Sequence, residues 1–360
     1  MDKPERASPL AQYLFLAYLL LVVYATLYPF SGWRDAGISA FAYLTAAKPK
    51  YITGFDLTAN VLAYLPYGWL AVLAMYPRMT GIGAFFSALA SGTALVLTLE
   101  AVQTFLPARF ASNVDAACNI AGVTIGAVLG LSTARWLFGS SLLLHWRTTH
   151  VLPGARADAG LVLLALWVAT QLDPAGLLFG VGDLRNLFLQ PAGSAYEPDV
   201  FVAIEALTAA CNLVAVGLTT SAILKRDTPL IRIMIGLIVL GLVVKTGAFA
   251  ILRQADDVLQ WLTPGALIGL VTGLPVLLVA AMLPRVLRLA LAAVLLMGAT
   301  VLVNLAPANP YLASTLAVWS QGHFLNFNGL TRLLSLLWPF AAVMFLILSA
   351  ARPVGEATRR

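Results

Sequence analysis

Apolar residues fill the chain in long runs, and polar positions are confined to the gaps between runs and to a few isolated places within them. The runs lie near 10–30, 56–76, 82–106, 114–138, 159–178, 200–224, 230–252, 262–282, 286–306 and 333–350. Each is about 20 residues long, enough to cross the roughly 30 Å hydrocarbon core of a bilayer as a helix. None alternates apolar and polar positions as a barrel strand does, and a backbone in lipid must satisfy its own hydrogen bonds. The pattern predicts an all-α polytopic membrane protein with about ten transmembrane helices.

Composition agrees. Of 360 residues, 60% are hydrophobic and only 11% charged, against about a quarter charged in soluble domains. The net charge of +6 is a matter of topology rather than a nucleic-acid footprint. With the N-terminus in the cytoplasm, Lys and Arg favour the cytoplasmic loops by about two to one, which predicts both termini inside. Trp33, Tyr51, Trp261, Trp319 and Trp338 then fall near outer boundaries, where interfacial aromatics belong. The first run is long for a signal-peptide core and reads as an uncleaved first helix. Cys118 and Cys211 lie inside predicted spans, so no disulfide framework is implied.

Two segments resemble each other at an offset of 145 residues: LFLAYLLLVVYATLYP, ending at Pro29, and VLLALWVATQLDP, ending at Pro174. The same offset aligns Glu100 with Lys245. An even number of helices per unit predicts a tandem parallel repeat. The expected units are 1–139 with four helices, 140–284 with four more, and 285–360 with two helices and a long outer loop.

Polar residues inside apolar runs are costly and usually functional. Asp56 and Asn60 are four apart at the outer start of the second run, and Asp115 and Asn119 at the start of the fourth. Glu100 and Gln103 are three apart at the end of the third. Each pair shares a helical face, and Arg109 stands on the turn between the last two. Together they predict a shallow outer-leaflet pocket of carboxylates, amides and one guanidinium suited to a phosphate or carboxylate. The competing structural explanation is that Asp56, Ser112 or Asn113, and Asp115 cap helices, while Glu100 and Arg109 neutralise each other.

The second half offers Glu205, Asn212 and Lys245, followed by Arg253, Asp256 and Asp257. Lys245 should have a partner: Glu100 across the repeat, or Glu205, unless it snorkels to the interface. The outer loop at 307–331 mixes Tyr311 and Trp319 with Gln321, His323, Asn326 and Asn328. It either closes over a head group or merely packs.

Metal and nucleotide motifs are missing: there is no HExxH, CxxC, GxSxG or Walker sequence. Oxygen ligation of Mg²⁺ or Ca²⁺ by Asp56, Glu100 and Asp115 is conceivable, but Arg109 argues against it, and no metal or cofactor is expected.

The runs Asp56-x₃-Asn60-x₅-Pro66-x-Gly68, Glu100-x₂-Gln103-x₅-Arg109 and Asp115-x₃-Asn119-x₂-Gly122-x₃-Gly126 resemble the VanZ-like family over roughly residues 10–138. The remainder looks like the extended form of that family. The family's founder is associated with low-level resistance to teicoplanin, a lipoglycopeptide acting outside the cytoplasmic membrane. The resemblance implies a bacterial cytoplasmic (inner) membrane protein serving the cell envelope. The pocket would bind an anionic or sugar-bearing lipid, a lipid-linked envelope precursor, through Asp56, Asn60, Glu100, Gln103, Arg109, Asp115 and Asn119. Two other classes stay open: an integral membrane hydrolase or transferase using Glu100 or Asp115 as base, and a secondary transporter drawing on the repeat and the Glu100 and Lys245 charges.

Overall fold

The computed structural model describes residues 9–35, 37–47, 53–139, 141–185, 198–252, 258–306 and 325–351. They form eleven α-helices and, among the described residues, no strand. Eight helices are long and apolar enough to cross a membrane, so the chain is a multi-pass membrane protein. Packing divides it into two compact units, 1–148 and 149–360.

The first unit holds α1 (Pro9–Leu27), α2 (Gly54–Met75), α3 (Gly81–Gln103) and α4 (Asn113–Phe138). Local chemistry sets two of the helix starts. Thr53 and Asp56 form a capping box on α2: the Thr53 hydroxyl accepts from the Asp56 N–H at 3.2 Å, and Asp56 Oδ2 accepts from the Thr53 N–H at 3.1 Å. Ser112 caps α4, its Oγ accepting from the amides of Val114 and Asp115. The unit is centred on the α2–α4 contact, where small residues bring backbones together. A Cβ added at Gly122 or Gly126 would run into the carbonyl oxygens of Val61 and Leu65. On the other sides, apolar chains such as Leu62, Phe86 and Ile125 are exposed, as the lipid-facing surface of a spanning helix requires.

A short helix, α5 (Leu142–His150), contains no buried residue. The second unit holds α6 (Ala155–Thr170), α7 (Pro198–Thr220), α8 (Leu230–Leu252), α9 (Pro264–Ala280), α10 (Arg285–Leu305) and α11 (Leu325–Ala350). The last two helices pack on α7 and α6 within this unit. Again a glycine-spaced helix meets its neighbour closely: Gly265, Gly269 and Gly273 of α9 lie against α7.

Two of the ten expected spans are shorter than the hydrophobic runs that announced them. α6 has 16 residues and α9 has 17, about 24–26 Å at 1.5 Å per residue. The cause at α6 is local. Asp173 precedes Pro174, which disfavours helical geometry, and Asp173 Oδ1 accepts from the Ala175 N–H at 2.9 Å, turning the chain. The following stretch stays inside the unit rather than forming a surface loop: Leu177, Leu178, Phe179 and Val181 are buried. Irregular backbone is tolerated in such a setting only when its polar groups find partners. Here the Gly182 N–H donates to the Ser335 carbonyl at 2.7 Å. Asn304 accepts from the Leu184 N–H at 2.8 Å and donates to the Gly182 carbonyl at 2.7 Å.

Candidate functional site

In the first unit the predicted polar residues gather at the end formed by the C-termini of α1 and α3 and the N-termini of α2 and α4. Glu100, in the last turn of α3, is only 3% exposed, and its Oε2 accepts from the Ser112 N–H at 2.9 Å. Asn60 donates to Asp115 Oδ1 at 2.9 Å, tying α2 to α4. Gln103 donates to the Thr26 carbonyl at 2.8 Å, tying α3 to α1. Asp115 lies close enough to Glu100 and to Asp56 to interact electrostatically with each. Asn119, one turn deeper on α4, is 5% exposed, and its Oδ1 has no hydrogen-bond partner.

Arg109 behaves differently from the expectation of an anion clamp. Its Nε donates to the Tyr28 carbonyl at 2.7 Å, and Nη2 bonds the same oxygen and, at 3.5 Å, the Ala25 carbonyl. The Nε–Nη2 edge, which would meet a phosphate in parallel hydrogen bonds, is therefore turned on the C-terminus of α1. A cation there also suits the helix dipole. Burial lowers its pKa from the ordinary guanidinium value, and the charge of the Tyr28 phenol group opposes that shift; the group stays cationic. The anticipated neutralisation of Glu100 by Arg109 is replaced by these two separate arrangements. Asp56 is engaged in the α2 capping box, the structural role weighed against binding.

Around this polar end stand aromatic side chains that face outward: Phe30, Trp33 and Phe55, with Phe110 89% exposed. Tyr43 donates to the Leu97 carbonyl at 3.2 Å, and burial followed by the Glu100 charge pushes its phenol up. Among the described residues, no group of three His, Cys, Asp or Glu side chains is arranged to hold a metal ion.

The second-unit candidates form a distinct cluster. Lys245, 2% exposed on α8, donates to the carbonyls of Asp173 and Gly176 in the irregular segment after α6. Its partners thus come from its own unit, with the Asp173 and Glu205 carboxylates near enough to act on it. Glu205, 2% exposed on α7, lies against the first turn of α9 beside Thr263 and Gly265, and its Oε2 makes no hydrogen bond. Gln321, His323 and the side chain of Asn326, like Arg253, Asp256 and Asp257, lie outside the described residues.

Sequence reasoning passed over Thr208 and Asp173. Thr208 is fully buried on α7 with its hydroxyl unpartnered. Its spacing, three residues after Glu205 and four before Asn212, is the signal that places all three on one face. The Asp-Pro step at 173–174 is what could have ended the predicted span at 159–178 early.

Residues 15–135 match the VanZ/LLP1 family model, about a third of the chain and nearly all of the first unit. No curated protein and no solved structure matches the chain.

Proposed function

We propose that the VanZ-like unit at residues 15–135 holds the head group of a lipid in the outer leaflet of a bacterial cytoplasmic membrane, and that this head group carries sugar hydroxyls. The observation behind this reading is the convergence of three carboxylates (Asp56, Glu100 and Asp115) with the amides of Asn60, Gln103 and Asn119 at one end of α2, α3 and α4. Carboxylates and amides both accept from hydroxyls, and amides also donate. Phosphate is the poorer fit, because the carboxylates repel it and the favoured edge of Arg109 is occupied by Tyr28. The exposed Phe30, Trp33, Phe55 and Phe110 supply apolar and aromatic surface at the level where head groups meet acyl chains. Asn119 Oδ1, buried without a donor, is the acceptor such a ligand would satisfy. In a lipid-linked envelope precursor, these acceptors would take the hydroxyl-rich sugar, and the phosphate joining it to the apolar anchor would lie away from the carboxylates.

The test is native mass spectrometry of the purified full-length protein, with bound lipids identified after extraction. The wild type should retain a glycolipid or lipid-linked sugar that Asn119→Leu and Asp115→Asn release. The same unselective phospholipids on all three proteins would overturn the reading.

A further inference from the structure

The second unit contains buried polar chemistry that lipid handling by the first does not use. α7 carries Glu205, Thr208 and Asn212 on one face, all essentially inaccessible. Thr208 Oγ1 and Asn212 Oδ1 have no hydrogen-bond partner, and Glu205 Oε2 has none of good geometry, with the Thr263 hydroxyl and the Gly265 amide the donors that approach its carboxylate. Asn212 uses its amide group on the Thr208 carbonyl at 3.1 Å, leaving the oxygen free. Buried acceptors without donors are rare and call for an ordered water, an ion or a proton. Glu205 and Asn212 are seven residues apart, about 10 Å along the helix axis, too far for one ion to bridge.

Lys245 sits at a matching depth. Glu205 is seven residues after Pro198, the start of α7, and Lys245 is seven before Leu252, the end of the antiparallel α8. No ion pair within 4 Å joins Lys245 to a carboxylate among the described residues; two backbone carbonyls hold it instead. The charged groups facing Glu205 are few. Lys245 comes from α8, and Asp173 stands beside that lysine after α6, with Arg332 of α11 and Asp183 acting on it in turn. α9 presents only Thr263 and the Gly265 amide, and α10, which also packs on α7, carries no charged residue after Arg285 and Arg288 in its first turn.

We infer that Glu205 is an internal protonation site, reached through water along the Glu205–Thr208–Asn212 face and balanced by the charge of Lys245. Uptake forms an O–H bond at Oε2 and breaks one on an adjacent water, which draws its replacement proton from solvent. The Thr208 hydroxyl and Asn212 amide oxygen accept from the waters that carry it. The first turn of α9 steadies the carboxylate when the proton leaves. A metal cation is the poorer occupant, because Lys245 already places a positive charge at that depth. Ionisable groups in spanning helices of proton-handling proteins are arranged in such chains.

The experiment uses the full-length protein in detergent. A hydrophobic carbodiimide, which reacts with protonated carboxyl groups in apolar surroundings, is applied over a series of pH values, and the labelled residue is mapped by mass spectrometry. Infrared spectra over the same series follow the carbonyl band of a protonated carboxyl. Glu205 should be labelled in the wild type, with labelling lost as the pH rises, and Glu205→Gln should remove the titrating band. Lys245→Met should move the midpoint by about one pH unit or more, because the lysine charge opposes protonation of its neighbour. The inference is overturned if the wild type shows neither label at Glu205 nor a titrating band, or if Lys245→Met leaves the midpoint unmoved. The wild-type measurement stands whether or not the variants fold. None of these readouts depends on lipid binding by the first unit.

Discussion

Replacing Arg109 with alanine separates two roles for the same side chain. The guanidinium makes three hydrogen bonds to two carbonyls at the C-terminus of α1. The contact at 3.5 Å is weak, so the loss is dominated by the two hydrogen bonds to the Tyr28 carbonyl. A hydrogen bond to a charged group contributes about 1.5–3 kcal/mol, and a cation at a helix C-terminus adds about 0.3–1 kcal/mol. Arg109 is half-buried, which places the expected cost of Arg109→Ala at about 2–3 kcal/mol. For a unit of this size that lowers the thermal midpoint by about 5–10 °C. Arg109→Lys keeps the charge but not the planar fork, and should recover only the smaller dipole contribution. Thermal unfolding in detergent, followed by the monodisperse fraction on size exclusion, measures both. An unchanged midpoint in Arg109→Ala together with lost lipid would refute this reasoning and return Arg109 to the ligand.

At the α2–α4 contact, Gly126→Ala should destabilise the first unit by about 1–3 kcal/mol, since the new methyl meets the Leu65 backbone rather than a yielding side chain. Gly236→Ala and Gly298→Ala, where nothing lies within 4 Å, serve as controls and should be neutral or slightly stabilising in the same assay. Asp183 gives an acid-side prediction. Its desolvation raises the carboxyl pKa, but the hydrogen bonds and charge of Arg185, at 2.6 Å, outweigh that and leave it depressed. The stabilisation is therefore complete above the unfolded pKa of about 3.9 and is lost as pH falls through the lower folded value. Asp183→Asn should lower the thermal midpoint at neutral pH and flatten its decline in acid; an identical pH profile would remove the pair from the account.

The polar residues of the first unit were legible in the sequence because they interrupt apolar helices at helical spacing. Asp56–Asn60, Glu100–Gln103 and Asp115–Asn119 do converge at one end. Their division of labour was not legible. Arg109 is drawn to the carbonyls of Tyr28 and Ala25, which lie more than eighty residues away in the chain. Whether a guanidinium faces a ligand or a helix end depends on which unsatisfied oxygens the fold brings near it. Asn60 likewise has Asp115 as its partner only because the glycines of α4 let α2 approach.

The sequence alone determined the solvent in which this chain folds and the class of its elements. Long apolar runs can satisfy their backbones in lipid only as helices, and the Thr53, Asp56 and Ser112 chemistry marks where two of them begin. What the tertiary structure decided is how the second unit treats its interior. The hydropathy of residues 159–178 is that of a span, yet α6 stops at Thr170 and the chain continues irregularly among buried side chains. That course is stable because Lys245, Asn304 and Ser335, all remote in sequence, supply partners for its backbone. Hydropathy registers the transfer of each residue out of water; the satisfaction of a broken helix by distant donors and acceptors is a property of the packed molecule.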